Sequence, residues 1–147
     1  MSLASTTTYT GLTVGNPANS GKNLVLVEAI WSTTIAPTGV GAIILGTGAV
    51  VAQTAGNSTG PKLAFIGTGT ASVATVGASC TYGANPSFLR PFIGVPWVTG
   101  TGNGNMGEFK DEIARSLIVP PGQQVSFVAV TTAITGIGYF SWLELPQ

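Results

Sequence analysis

The chain has 147 residues, enough for one domain with a sizeable core and too few for two ordinary ones. Only 7% of its residues are charged, five basic against five acidic, with 21 glycines and no histidine. A typical soluble domain carries about 25% charge, so this surface is made of hydroxyls, amides and backbone, and a composition so poor in ions implies that other subunits cover much of it.

In chain order, the segment MSLASTTTYTGLTV has no basic region and no continuous apolar run, and is therefore not expected to act as a secretory signal. Its threonines and Tyr9 and Leu12 predict a first strand near Thr6–Val14, or an extended arm that adds to a neighbour's sheet edge. Asn23–Ile35 predicts a long strand whose alternate residues are apolar on both faces. Such a strand is expected to be covered on both sides, with Glu28 near an end or paired. The segment Val40–Ala52, VGAIILGTGAVVA, is too short for a membrane helix and too rich in β-branched residues and glycine. It predicts strands near Val40–Leu45 and Ala49–Gln53, and no membrane partner is expected.

Further strands are predicted near Lys62–Ile66, Ala71–Val76, Val95–Thr99, Ser116–Val119, Gln124–Thr132 and Gly138–Glu144, with Ala55–Gly60 and Thr99–Asn105 as loops. Asn85–Pro96 is a long crossover rich in proline and aromatics. In Leu117-Ile-Val-Pro-Pro-Gly-Gln-Gln-Val, Pro121 and Gly122 suit the two central positions of a type II turn. Tyr139, Ser141 and Leu143 alternate with Phe140, Trp142 and Glu144, the pattern of a closing strand. Many short strands without intervening helices predict one all-β domain, an antiparallel β-sandwich of the jelly-roll-like kind. At most one short helical turn is expected, near 107–115.

The chemistry-bearing signals are weak. Gly102-x-Gly104-x-x-Gly107 has the spacing of a dinucleotide fingerprint, but no βαβ unit surrounds it and the region near residue 125 is apolar. With no histidine, the usual general base and the common zinc site are missing. Cys80 is the only cysteine, which excludes an internal disulfide, and it reads as a small buried residue. Asn57-Ser-Thr is a formal glycosylation sequon without an export signal to bring it into use. Lys22, Lys62, Arg90, Lys110 and Arg115 are scattered, so the clustered cationic face that nucleic acid requires is absent. No catalytic residue, cofactor or metal site is expected.

Two stretches remain as candidate contact surfaces. Phe88, Arg90, Phe92 and Trp97 lie in the aromatic crossover, and either fill a satellite core or anchor a neighbouring subunit. Glu108, Lys110, Asp111, Glu112 and Arg115 concentrate five of the ten charges into eight residues. They read as a polar turn making a salt-sensitive contact, or as the carboxylates of a small hydrolase.

Three segments, Gly21-Lys-Asn-Leu-Val-Leu-Val-Glu28, Leu117–Phe127 and Gly138–Pro146, resemble the jelly-roll cement or decoration proteins of tailed-bacteriophage capsids. The resemblance covers about half of the chain and rests on a style of sequence rather than a diagnostic motif. It implies a protein made in the bacterial cytoplasm that sits on the outer capsid surface, associates as a dimer or trimer, and bridges subunits of the major capsid protein. The alternative is a tail-fibre or receptor-binding head domain recognising a host glycan, with the Trp97 loop as its pocket.

Overall fold

The computed structural model describes residues 8–35, 41–54, 72–95, 108–130 and 134–147, and over these the chain is all-β and antiparallel. Its strands are β1 (Thr8–Gly15), β2 (Lys22–Thr33), β3 (Gly41–Thr54), β4 (Thr75–Tyr82), β5 (Ser87–Val95), β6 (Glu108–Asp111), β7 (Leu117–Val119), β8 (Gln123–Val130) and β9 (Gly136–Pro146). They form two sheets packed as a sandwich, the larger in the order β4-β1-β8-β3-β5 and the smaller built on β2. In the smaller sheet β9 pairs with β2 along its whole length. β7 and β6 share β2 in succession, opposite Leu24–Leu26 and Ala29–Ser32 respectively.

The core lies between the sheets because each strand turns one alternating set of residues inward. Leu24, Leu26, Ala29 and Trp31 of β2 and Phe140 of β9 meet Val14 of β1, Ile43 and Leu45 of β3, and Val125 and Phe127 of β8. Three rings meet at its centre. Phe127 stacks on Phe140 with centroids 4.4 Å apart and tilts against Trp31 at 5.4 Å. Leu12 is half-buried and packs against this cluster. The first-strand reading of the N-terminal segment therefore holds, since β1 pairs with β4 and β8 of its own chain. The candidate contact role of Leu12 gives way to a core role.

The larger sheet curls. β4 and β5 run end to end along one edge of β3, from Thr54 opposite Ser79 to Gly41 opposite Val95, while β8 takes the other edge. β1 pairs with both β4 and β8, so β1, β8, β3 and β4 hydrogen-bond round in a closed ring. Tyr82 fills the curl: its hydroxyl donates to the Gly46 carbonyl at 3.0 Å and shares a 2.6 Å hydrogen bond with Ser126. This explains a departure from the two strands expected over 40–53, where β3 is continuous. Gly46 and Gly48 do not make a turn. They clear space, since a Cβ on Gly48 would come within 2.9 Å of the Tyr82 ring.

Two further corrections concern the polar and proline-rich stretches. The crossover expected over 85–96 is largely strand β5, which tolerates Pro91 because the ladder slips at Leu89 and Phe92 around it. The turn expected near 107–115 starts instead as strand β6, because backbone pairing to Ala29–Ser32 outweighs the helical spacing of its charges. Glu28, expected near an end or paired, is paired with Lys110, and Cys80 is buried. The Pro-Pro-Gly turn forms as anticipated, with Gly122 at φ 80° and Gln123 N–H donating to the Pro120 carbonyl at 3.1 Å. The segments Lys62–Ile66, Ala55–Gly60 with Asn57, and Thr99–Asn105 with the Gly102–Gly107 spacing lie outside the described residues, as does Trp97.

Candidate functional site

β2 was expected to be covered on both faces; its outward residues are buried at Val25 and half-buried at Asn23, Glu28, Ile30 and Ser32, while the exposed apolar side chains of this face belong to its neighbours β7 and β9. Its outward positions Asn23, Val25, Glu28, Ile30 and Ser32 stand beside Leu145, Leu143, Ser141, Tyr139 and Ile137 of β9. On the other side Val25 faces Ile118 of β7 and Ile30 faces Lys110 of β6. Five of the eight large exposed hydrophobic side chains among the described residues lie here: Ile118, Ile137, Tyr139, Leu143 and Leu145, from 39% to 69% exposed. Isolated exposed apolar residues are ordinary, but a contiguous row marks a contact surface. The pattern was visible in the sequence for β2, whose alternate residues are largely apolar on both faces. Alternation alone does not say which face a second layer will cover.

The middle of this face is polar. Val27 bulges from the β2–β9 ladder, which shifts register between Leu26 and Glu28. Glu28 carries the Lys110 ammonium at 2.6 Å, and Lys110 also reaches Glu112 at 3.3 Å. Lys110 is held above its ordinary pKa by donating to Glu28 and then to Glu112. Beside this triad the chain makes a tight turn over Ile113–Ser116. Ala114 and Arg115 are both left-handed at φ 51° and 66°, and Ser116 N–H donates back to the Ile113 carbonyl at 2.9 Å. This is the geometry of a type I′ turn, which favours Asn-Gly at these positions because a Cβ disfavours positive φ. Two observations account for its persistence. Ile113 is buried in the core, and Ala114 and Arg115 donate their N–H groups to the Val27 and Leu26 carbonyls.

The charged island thus divides. Lys110 and Glu112 are exposed near the outer face, while Asp111 turns toward the other sheet. There Arg90 of β5 meets it at 3.4 Å and donates to Ser116 Oγ at 3.0 Å. Arg90 and Asp111 therefore fasten one edge of the sandwich rather than reaching outward. Asp111 and Arg115 do not form the i, i+4 pair that a helix would have allowed. Arg115 is exposed and has no ion pair among the described residues. Phe88 is half-buried on β5 opposite Gly46. Tyr9 lies on β1 opposite Cys80, Phe92 at a slip of the β5 ladder, and Glu108 opens β6 opposite Ser32. The tertiary structure thus brings Lys110 and Glu112 together beside Glu28 and leaves Leu12 against the core.

The opposite edge of the sandwich is closed by a carboxylate. Glu144 of β9 pairs with Lys22 of β2 at 3.0 Å and accepts from the Val73 N–H at 3.0 Å and from the Ser72 hydroxyl. Burial by itself would raise the Glu144 pKa, but the Ser72, Lys22 and Val73 donors outweigh it and hold the group below its ordinary 4.5. A carboxylate with a lowered folded-state pKa adds stability that is fully present above its unfolded value and is lost as pH falls through the folded one. Urea midpoints measured below about pH 4.5 should therefore fall more steeply with acid in the parent protein than in Glu144→Gln.

Among the described residues no three histidine, cysteine, aspartate or glutamate side chains are placed to hold a metal ion, and no helix is long and apolar enough to cross a membrane. Compared with known proteins, the chain matches no family, no curated protein and no solved structure.

Proposed function

We propose that this protein is a structural component of a phage virion that decorates the capsid and stabilises it by bridging subunits of the major capsid protein. The observation that carries this reading is the outer face of the β9–β2–β7 sheet, an exposed apolar row on a chain with only ten charged residues. A face of this kind acts by contact rather than by chemistry. The island carboxylates with described side chains, Asp111 and Glu112, are engaged by Arg90 and Lys110 respectively.

Decoration suits such a surface. A shell presents many equivalent sites, so modest contacts made by an oligomeric protein are multiplied by effective concentration, and hydroxyl-rich margins add hydrogen bonds and bridging water. The resemblance of β2, the Pro-Pro-Gly hairpin and β9 to cement proteins points the same way. The test is to add purified protein to undecorated heads and follow sedimentation and thermal rupture. Co-sedimentation with a rise in rupture temperature is expected, and heads that neither bind the protein nor gain stability would end this reading.

A further inference from the structure

We infer that the outer face of the β9–β2–β7 sheet is where a second copy of this chain docks, sheet against sheet, about a two-fold axis. The inference rests on the reading above only in that this face is a contact surface; it gives the face to the second copy of the oligomer and leaves the shell to other surfaces of the pair.

Its layout is the first argument. Along β2 the face has an apolar end around Val25, Ile118, Leu143 and Leu145, a polar middle at Glu28, Ser141 and Lys110, and a second apolar end around Ile30, Tyr139 and Ile137. A two-fold axis through the middle superposes the first apolar end of one copy on the second apolar end of the other. An isologous contact requires this self-complementarity, in which residue i meets j and j meets i. Sheet faces of this kind pack about 10 Å apart with their strands within about 30° of one another, the arrangement already used inside the sandwich.

Charge is the second argument. Glu28, Lys110 and Glu112 form a mixed triad, with the Lys110 ammonium 2.6 Å from Glu28 and 3.3 Å from Glu112. The centre therefore holds both signs. Across a two-fold axis, the cation of one copy finds the carboxylates of the other. A partner of one charge sign would leave one set repelled.

Size is the third. β9 is 11 residues long, about 37 Å at about 3.4 Å per residue, and three strand widths are about 14 Å. Each copy thus offers roughly 500 Å², and a pair buries on the order of 1,000 Å², the threshold for a specific interface and the range of weak, reversible dimers. A weak, reversible dimer follows, associated where copies are crowded and monomeric when dilute.

Sedimentation equilibrium of the purified protein, from roughly micromolar to roughly millimolar concentration, should show a monomer–dimer equilibrium. Tyr139→Lys and Leu143→Lys, at positions already exposed, should each weaken it about tenfold or more while leaving the far-ultraviolet spectrum and melting temperature near those of the parent. Val51→Lys, exposed but off this face, should leave it unchanged.

A protein monomeric throughout, or an oligomer untouched by both lysine substitutions, would overturn the inference. The same variants applied to undecorated heads separate the two readings. A monomeric parent that binds heads through Tyr139 and Leu143 assigns the face to the shell and leaves the decoration reading standing. A dimer broken by these substitutions, in a protein that never binds heads, keeps the inference and removes the decoration reading.

Discussion

Replacing Phe127 with alanine should cost the fold about 3–5 kcal/mol, the range for removing a buried aromatic ring. Phe127 is 2% exposed and lies between Phe140, stacked at 4.4 Å, and Trp31, tilted at 5.4 Å. It belongs to β8 in the larger sheet, whereas its two ring partners belong to β9 and β2 in the smaller one. Its loss therefore opens a cavity at the layer boundary, where neither ladder can close it without breaking backbone hydrogen bonds. Against a total stability of about 5–15 kcal/mol, this brings the chain close to unfolding. Chemical denaturation should show a large drop in midpoint with little change in slope. The neighbouring residues of β9 supply the contrast: Phe140 points into the core and Tyr139 out of it, so Tyr139→Ala should leave the midpoint nearly unchanged. Comparable losses from the two would mean that the outer face is covered within the monomer.

Asn16→Ala is expected to cost about 2–4 kcal/mol, although it removes no apolar surface. Asn16 is fully buried just after β1, and its Nδ2 donates at 2.8 Å to both the Lys22 carbonyl at the start of β2 and the Val119 carbonyl at the end of β7. Its backbone closes the same junction, donating to the Gln123 carbonyl at 2.9 Å and accepting from the Gly122 N–H at 2.8 Å. One amide thus ties the larger sheet to both ends of the hairpin-like entry into the smaller one. Without it, two carbonyls lose their donor, each at about 1–3 kcal/mol. Removing Oδ1, which is buried and has no hydrogen bond, returns part of that cost. Asn16→Asp is the size-matched control. It keeps the shape but brings no donors at neutral pH, so it should be at least as damaging as alanine, and urea midpoints of the two variants at pH 7 check the order. If the aspartate variant matched the parent, the amide donors would not be what holds the junction.

Residues 113–116 show how local rules and long-range packing part company. Read locally, Asp111 and Arg115 sit at a spacing that helices reward, and Ala114 is the best helix former of all. Ile113, however, is 1% exposed in the core, and β6 on its N-terminal side is paired to β2. The chain must then turn within two residues to bring Leu117 opposite Leu26, and Ala114 and Arg115 take left-handed conformations that neither prefers. Strain of this kind survives only where the surroundings over-determine it. Gly46 and Gly48 make the same point in a strand: they read as a turn signal, and their purpose appears only once Tyr82, more than thirty positions later, lies across them.

By itself the sequence determined the all-β class, the positions of β1, β2, β7, β8 and β9, the Pro121-Gly122 turn, and that Glu28 lies near an end or is paired. These follow from short-range chemistry: β-branched alternation, the preset φ of proline, the positive φ open to glycine, and the cost of an unpaired carboxylate. Only the tertiary structure decided which face of β2 is covered, that the charged island begins as a strand, that Pro91 sits within one, and that Arg90 and Asp111 fasten an edge. The physical reason is that a period of two sorts residues onto faces without saying which face meets another sheet. That choice is made by contacts between strands distant in the chain. It leaves Ile118, Ile137, Tyr139, Leu143 and Leu145 in solvent, a row whose apolar character every strand of the smaller sheet except β6 already carried.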